Sequence, residues 1–125
     1  MREAGADLGG ADPSTEPPLD LVHLDRQCQG DRELRDEVLA LFRVQAAGLI
    51  ERLTLSDLTP VEAAAAAHKL RGSALAIGAN RVARAAALLE ERAGEGAPPE
   101  AIRRAIGALR AEADAVATAL GHLDG

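Results

Sequence analysis

Aromatic residues are nearly absent from this sequence. Its 125 residues include one phenylalanine, Phe42, and neither tyrosine nor tryptophan. A hydrophobic core must therefore be built from Leu, Ala, Val and Ile, which suits closely packed helices better than a β-sheet. The chain also lacks the aromatic rings on which the bases of a single-stranded nucleic acid stack.

Basic residues are outnumbered as well. Fourteen Lys and Arg stand against 20 Asp and Glu, which gives a formal net charge of -6. A protein that binds a phosphate backbone needs a basic surface. We therefore expect no nucleic-acid partner.

Cysteine is represented by Cys28 alone, which excludes an internal disulfide and a cysteine-based zinc site. The three histidines, His23, His68 and His122, fall in different predicted helices without ligand spacing, so no metal site is expected. No apolar run approaches the roughly 20 residues that span a bilayer, and the first residues lack the apolar middle of a signal peptide. We expect a soluble cytoplasmic protein without a membrane partner.

The pattern along the chain predicts one helical domain. Residues 1–18 are rich in Gly, Pro, Asp and Ala and predict a disordered tail, whereas residues 19–121 carry helix signals throughout. There is no strand signal and no internal repeat. The predicted fold is all-α, an antiparallel up-down four-helix bundle with a short extra N-terminal helix.

Local signals place the helix ends. Thr59, Pro60 and Glu62 form the capping box of a third helix, which Gly78 should terminate after Ile77. The other predicted helices run from Asp20 to Gln27, from Asp31 to Leu53, from a cap at Asn80 to about Arg92, and from Pro98 to a stop at Gly121.

Apolar residues at helical spacing predict which side of each helix is buried. In the second helix the predicted inward residues are Leu34, Val38, Leu41, Phe42, Leu49 and Leu53; in the third they are Val61, Ala63, Ala66, Ala67, Leu70, Ala74 and Ile77.

The third helix contains HKLRGSALAIGA at residues 68–79, with a glycine in its middle. His68 points away from the inward stripe, and its neighbours one and two turns away are small, apolar or basic: Ala64, Ala65, Arg71, Gly72 and Leu75. Helical side chains tilt toward the N-terminus, so a side chain at 72 would lie against the imidazole. Gly72 therefore leaves His68 clear for a partner. Two plainer interpretations stay open: His68 as an ordinary surface residue, and Gly72 as a mark of close packing between helices.

These residues resemble a known family. HKLRGS at 68–73, GA at 78–79 and LLE at 88–90 are similar to the histidine-containing phosphotransfer (HPt) domain of bacterial phosphorelays. The opening at 19–53 resembles the short helix, Gly-Asp step and long helix with which that family begins. The resemblance covers residues 19–120. Arg71 stands where a lysine is more usual, which keeps the positive charge and changes its shape.

The resemblance implies that His68 accepts a phosphoryl group on Nε2. In this role it relays the group to or from an aspartate of a response-regulator receiver domain. A hybrid sensor kinase is the implied partner upstream in the phosphorelay. Arg71 and Lys69 are the nearest cations by sequence, and Ser73 could donate a hydrogen bond or simply pack. Arg84, with Arg81 one turn before it, could border the same face. Magnesium would belong to the receiver, so no cofactor is implied here.

The chain has no nucleotide-binding signature, because no Gly-rich loop follows a strand. It is therefore expected to be a phosphoryl carrier charged by another protein and not an autonomous kinase. One alternative is a non-catalytic helical adaptor that binds a partner helix or receiver. Another is the dimerising histidine domain of a kinase, but that domain carries its histidine on the first helix of a hairpin. Because one chain supplies four long helices here, we expect a monomer.

Overall fold

The computed structural model describes residues 16–55 and 57–124, with side chains described as far as His122. Most of the predicted tail at 1–18 therefore lies outside the described residues. Five helices occupy the described part: α1 Leu21–Gln27, α2 Arg32–Leu55, α3 Pro60–Ile77, α4 Asn80–Gly94 and α5 Pro99–Asp124. No strand occurs among the described residues, which confirms the all-helical class. None of the helices described is long and apolar enough to cross a membrane.

The four longer helices pack around one core. α3 packs against α2 and α4, and α5 packs against α4 and α2, so α3 and α5 do not form a major contact. The largest fully buried side chains come from every helix except α2: Leu24, Leu70, Val82, Leu89, Leu109 and Val116. α2 contributes Phe42, which is close to fully buried. These helix pairs are those of a bundle, while the strict up-and-down order of the four helices stays a prediction.

The ends of α3 follow their local signals. Thr59 accepts a hydrogen bond from the N–H of Glu62, and the Glu62 carboxylate accepts one from the N–H of Thr59 at 2.8 Å. This backbone hydrogen bond, with the Thr59 side chain second, lowers the pKa of the Glu62 carboxyl. At the other end Gly78 adopts φ +80°, the left-handed conformation that glycine reaches without a steric cost. The predicted limits of α3 are confirmed.

α1 lies against the turn between α3 and α4. The N–H of Asp20 donates to the carbonyl of Gly78 at 2.9 Å, and the Asp20 side chain caps α1 through the N–H of His23. A Cβ at position 78 would stand 2.9 Å from the carbonyl oxygen of Asp20. Gly78 therefore serves both the left-handed turn and the close approach of α1.

Two predicted helix boundaries are wrong. Asn80 does not cap α4: the N-cap is Ala79, which makes no side-chain capping bond, because α4 begins immediately after the tight turn at Gly78. Gly121 does not end α5, which continues to Asp124. An isolated glycine costs a helix only about 1 kcal/mol, and no proline follows to stop it. α2 and α4 also run two residues beyond their predicted ends, to Leu55 and Gly94.

Three of the residues predicted to face inward in α2 and α3 are exposed: Leu34, Leu41 and Val61. In α2 the apolar residues extend around more than one face, and the buried one consists of Leu39, Phe42, Ala46, Leu49, Ile50 and Leu53. Leu41 falls outside that face. Val61 lies in the first turn of α3, where it is 79% exposed, and the remaining six predicted α3 residues are buried.

Candidate functional site

His68 stands in the middle of α3 with its side chain 64% exposed. The buried residues of α3 fix this orientation, because Ala67 and Leu70 on either side of His68 in sequence are fully buried and turn the imidazole outward. The prediction that His68 lies outside the core is confirmed.

Two side chains hold one edge of the imidazole. Nδ1 of His68 lies 3.0 Å from Oε2 of Glu90 on α4 and 3.2 Å from a guanidinium nitrogen of Arg71, one turn along α3. The same Arg71 nitrogen lies 3.7 Å from Oε1 of Glu90. A carboxylate, a guanidinium and an imidazole thus form a cluster at the surface where α3 meets α4.

Nδ1 can serve only one of these neighbours at a time. If Nδ1 carries the proton, it donates to Glu90, and Nε2 keeps its lone pair. If Nδ1 is unprotonated, it accepts from Arg71, but its lone pair then faces a carboxylate oxygen at 3.0 Å. Arg71 has several N–H groups and can turn to Oε1 of Glu90. We therefore assign the proton to Nδ1, which leaves Nε2 free for attack.

Glu90 was not among the residues selected as a site from the sequence, although it belongs to the LLE stretch of the resemblance. A signal for it exists in the spacing. His68 lies ten residues before Gly78, and Glu90 lies twelve residues after it, so two helices that reverse at this turn bring them to a similar height. The sequence does not show which side of α4 faces α3.

Gly72 is open to solvent, and a Cβ built there would meet nothing within 4 Å. This removes the alternative that Gly72 permits close packing between helices of the described part. Ala65, Lys69 and Leu75 are also exposed on α3, whereas Ala64 and Ser73 are half-buried. No hydrogen bond joins Lys69 or Ser73 to His68 among the described residues.

Arg84 and Arg81 make other contacts. Arg81 donates to Glu112 of α5 at 2.9 Å and to the backbone carbonyl of Glu16. Arg84 pairs with the carboxylate of Glu16. The two arginines therefore anchor the segment before α1, and neither bonds to the cluster of His68, Arg71 and Glu90 in the described structure.

No group of three or more His, Cys, Asp or Glu side chains in the described ranges is arranged to hold a metal ion. The cluster at His68 contains one carboxylate and one imidazole beside a cation, which disfavours a second cation there.

Comparison with protein-family models gives a match to this chain. The family model of the Hpt domain matches residues 37–119, which takes in most of α2 and all of α3 and α4. Neither a curated protein nor a solved structure gives a significant match. The match begins at Glu37, so α1 lies outside it.

Proposed function

The chain belongs to the Hpt domain family, whose role is histidine phosphotransfer in phosphorelays, and on this premise we propose that His68 is the residue that carries the phosphoryl group. The observation that carries the proposal is the exposed imidazole whose Nδ1 faces Glu90 at 3.0 Å. With the proton on Nδ1 the lone pair stays on Nε2, and the exposure of the imidazole supports access by a donor.

In the proposed reaction Nε2 attacks the phosphorus of an aspartyl phosphate on a receiver domain. An N–P bond forms as the O–P bond breaks, and the electron pair of the broken bond returns to the aspartate carboxylate. The imidazole gains positive charge during the attack, and Glu90 stabilises that charge through the hydrogen bond from Nδ1. Return of the group to a receiver follows the same steps in reverse.

Arg71 is the cation nearest to the ring and is proposed to stabilise the transferred group. Its guanidinium lies 3.2 Å from Nδ1 and is only partly exposed, so it stays close to the imidazole. Once the phosphoryl group is present, Arg71 can turn from Glu90 to the phosphoryl oxygens, with which a guanidinium forms paired hydrogen bonds. Lys69, which is exposed and one residue from His68, supplies a second positive charge.

The α3 surface around His68 is proposed to receive the receiver domain. Gly72 and Ala65 present little side chain there, and Leu75 exposes half of its surface. A smooth apolar surface around a polar centre suits a partner that must bring its own aspartate to Nε2. Ala64 contributes less than expected, because it is half-buried against the core. Arg84 would take part only if it released Glu16.

The test is phosphoryl transfer from a receiver domain charged with labelled acetyl phosphate. We expect label on this chain that is lost in acid and retained in alkali, the behaviour of a phosphorylated imidazole. His68→Gln should abolish the label without loss of helical circular dichroism. His122→Gln is the matched control, because His122 is also exposed and lies on α5.

Label retained in His68→Gln would contradict the assignment of the acceptor. If the wild-type chain binds receiver domains but acquires label from none of a panel of them, a non-catalytic adaptor would be favoured. The same panel, extended to hybrid sensor kinases, would identify the partners and the direction of transfer.

A further inference from the structure

The outer side of α2 carries an apolar ridge that no described residue covers. Leu41, Val44 and Leu55 are 72%, 74% and 76% exposed. Val44 and Leu55 lie on one face of the helix with Ala40, Ala47 and Glu51, at spacings of three and four residues. Three large apolar side chains exposed on one side of a helix mark a surface for association.

A groove runs beside this ridge, between α2 and α5. Its volume is about 670 Å³. Phe42, Ile50 and Val116, which are buried in the core, form part of its lining, and Ala47 and Ala117 lie on its two helices. The small side chains leave the gap between α2 and α5 unfilled. An apolar ridge on α2 thus lies beside a groove between α2 and α5 that has an apolar floor and whose lining also includes the charged residues Arg43, Glu51, Arg110 and Asp114.

Two opposite charges border the groove on α2. Arg43 and Glu51 both line it, and neither has an ion-pair partner within the described ranges. They are two turns apart, with Ala47 midway between them. If α2 of a second chain is laid antiparallel across Ala47, Arg43 of each chain meets Glu51 of the other. The two charges that α2 contributes to this surface are therefore complementary to those of a second copy.

Gly48 lies next to this midpoint. A Cβ at this position would meet nothing within 4 Å, so no contact inside the described structure accounts for a glycine in the centre of a long helix. A glycine at a crossing point lets the backbones of two helices approach closely.

We propose that two copies of this chain associate through α2, related by a two-fold axis near Ala47 and Gly48. The ridge of each copy, at Val44 and Leu55, enters the groove of the other, and both surfaces are buried in one symmetric contact. This differs from the monomer expected from the sequence. His68 lies on α3 at its junction with α4, opposite the junction of α2 with α5, so both phosphotransfer sites stay accessible in the dimer.

Sedimentation equilibrium on the full chain tests the proposal. The wild type should reach twice its chain mass of 12.9 kDa as concentration rises. Val44→Asp should weaken association by at least about tenfold, because it places a charge in an apolar contact. Val61→Asp is the matched control: Val61 is equally exposed but lies on α3, outside the groove, and its variant should dimerise normally.

Charge reversal tests the antiparallel pairing. Arg43→Glu and Glu51→Arg should each weaken the dimer, and the double variant should restore it, since the two charges then meet in exchanged order. Three results would each overturn the proposal. The wild type could stay monomeric up to about 1 mM, or Val44→Asp could leave the dimer unchanged. The double variant could also associate no more strongly than the single variants. Phosphotransfer by folded Val44→Asp should be unchanged, which separates this inference from the proposed function.

Discussion

Nδ1 of His68 lies 3.0 Å from Oε2 of Glu90, a contact between side chains 22 positions apart in the sequence. Both groups are partly exposed, with side-chain exposures of 64% and 32%. A surface contact of this kind adds little to stability because water competes for it. In the proposed reaction its value is chemical: with the proton assigned to Nδ1, the contact with Glu90 leaves the lone pair on Nε2.

Glu90→Ala should slow phosphoryl transfer to His68 by roughly tenfold, the effect of losing one hydrogen bond to a charged group. The transfer rate of Glu90→Gln should fall between those of the wild type and Glu90→Ala, because the amide oxygen still accepts a hydrogen bond from Nδ1 but carries no charge. Single-turnover transfer rates measure both effects. The ¹⁵N shifts of the His68 ring should show a mixture of tautomers in Glu90→Ala and mainly protonated Nδ1 in the wild type.

The matched control is Glu91→Ala, which removes the exposed carboxylate next along α4. It should leave the transfer rate and the ring shifts unchanged. If Glu91→Ala slows transfer as much as Glu90→Ala does, a general charge effect and not the contact with Nδ1 would be responsible.

Arg71→Ala and Arg81→Ala should separate a role in transfer from a role in stability. Arg71→Ala should slow transfer and change the free energy of unfolding by less than about 1 kcal/mol, since its contacts lie at the surface. Arg81→Ala should leave the transfer rate unchanged and destabilise the fold, because Arg81 is half-buried and bonds both Glu112 and Glu16. Unimpaired transfer in Arg71→Ala would show that this arginine is not needed.

Gly72→Ala should stabilise α3 by up to about 1 kcal/mol, because alanine favours a helix and nothing obstructs its Cβ. Transfer should nevertheless slow, and Gly72→Gln should slow it further, since the added atoms occupy space beside His68. Gly107→Ala on α5 is the control: its Cβ also meets nothing within 4 Å, so it should stabilise the fold equally and leave transfer unchanged. Thermal melts and transfer rates on the three variants decide the matter. Normal transfer by Gly72→Gln would contradict the role in clearance.

Gly78→Ala should cost more stability than Gly30→Ala. Both glycines have positive φ, +80° and +77°, and an alanine there costs about 1 to 2 kcal/mol. Only at position 78 would the new Cβ also meet the backbone, at 2.9 Å from the oxygen of Asp20. Urea unfolding of the two variants measures the difference. Equal losses would mean that α1 moves away from the turn without cost.

Much of α3 could be predicted because its signals are local. The capping box joins Thr59 and Glu62, three residues apart, and the stop at Gly78 depends on the conformation of one residue. The exposure of His68 follows from the helical period over a few turns. None of these features depends on another helix.

The sequence by itself therefore determined the helical class, the limits of α3 and the outward direction of His68, since each follows from interactions within about one or two turns of helix. Tertiary structure alone decided that Glu90 meets His68, that Arg81 and Arg84 hold Glu16, and that Leu41 and Val44 stay outside the core. These depend on the rotation of each helix about its axis. That rotation is set by the packing of all neighbouring helices together, which no single stretch of sequence contains.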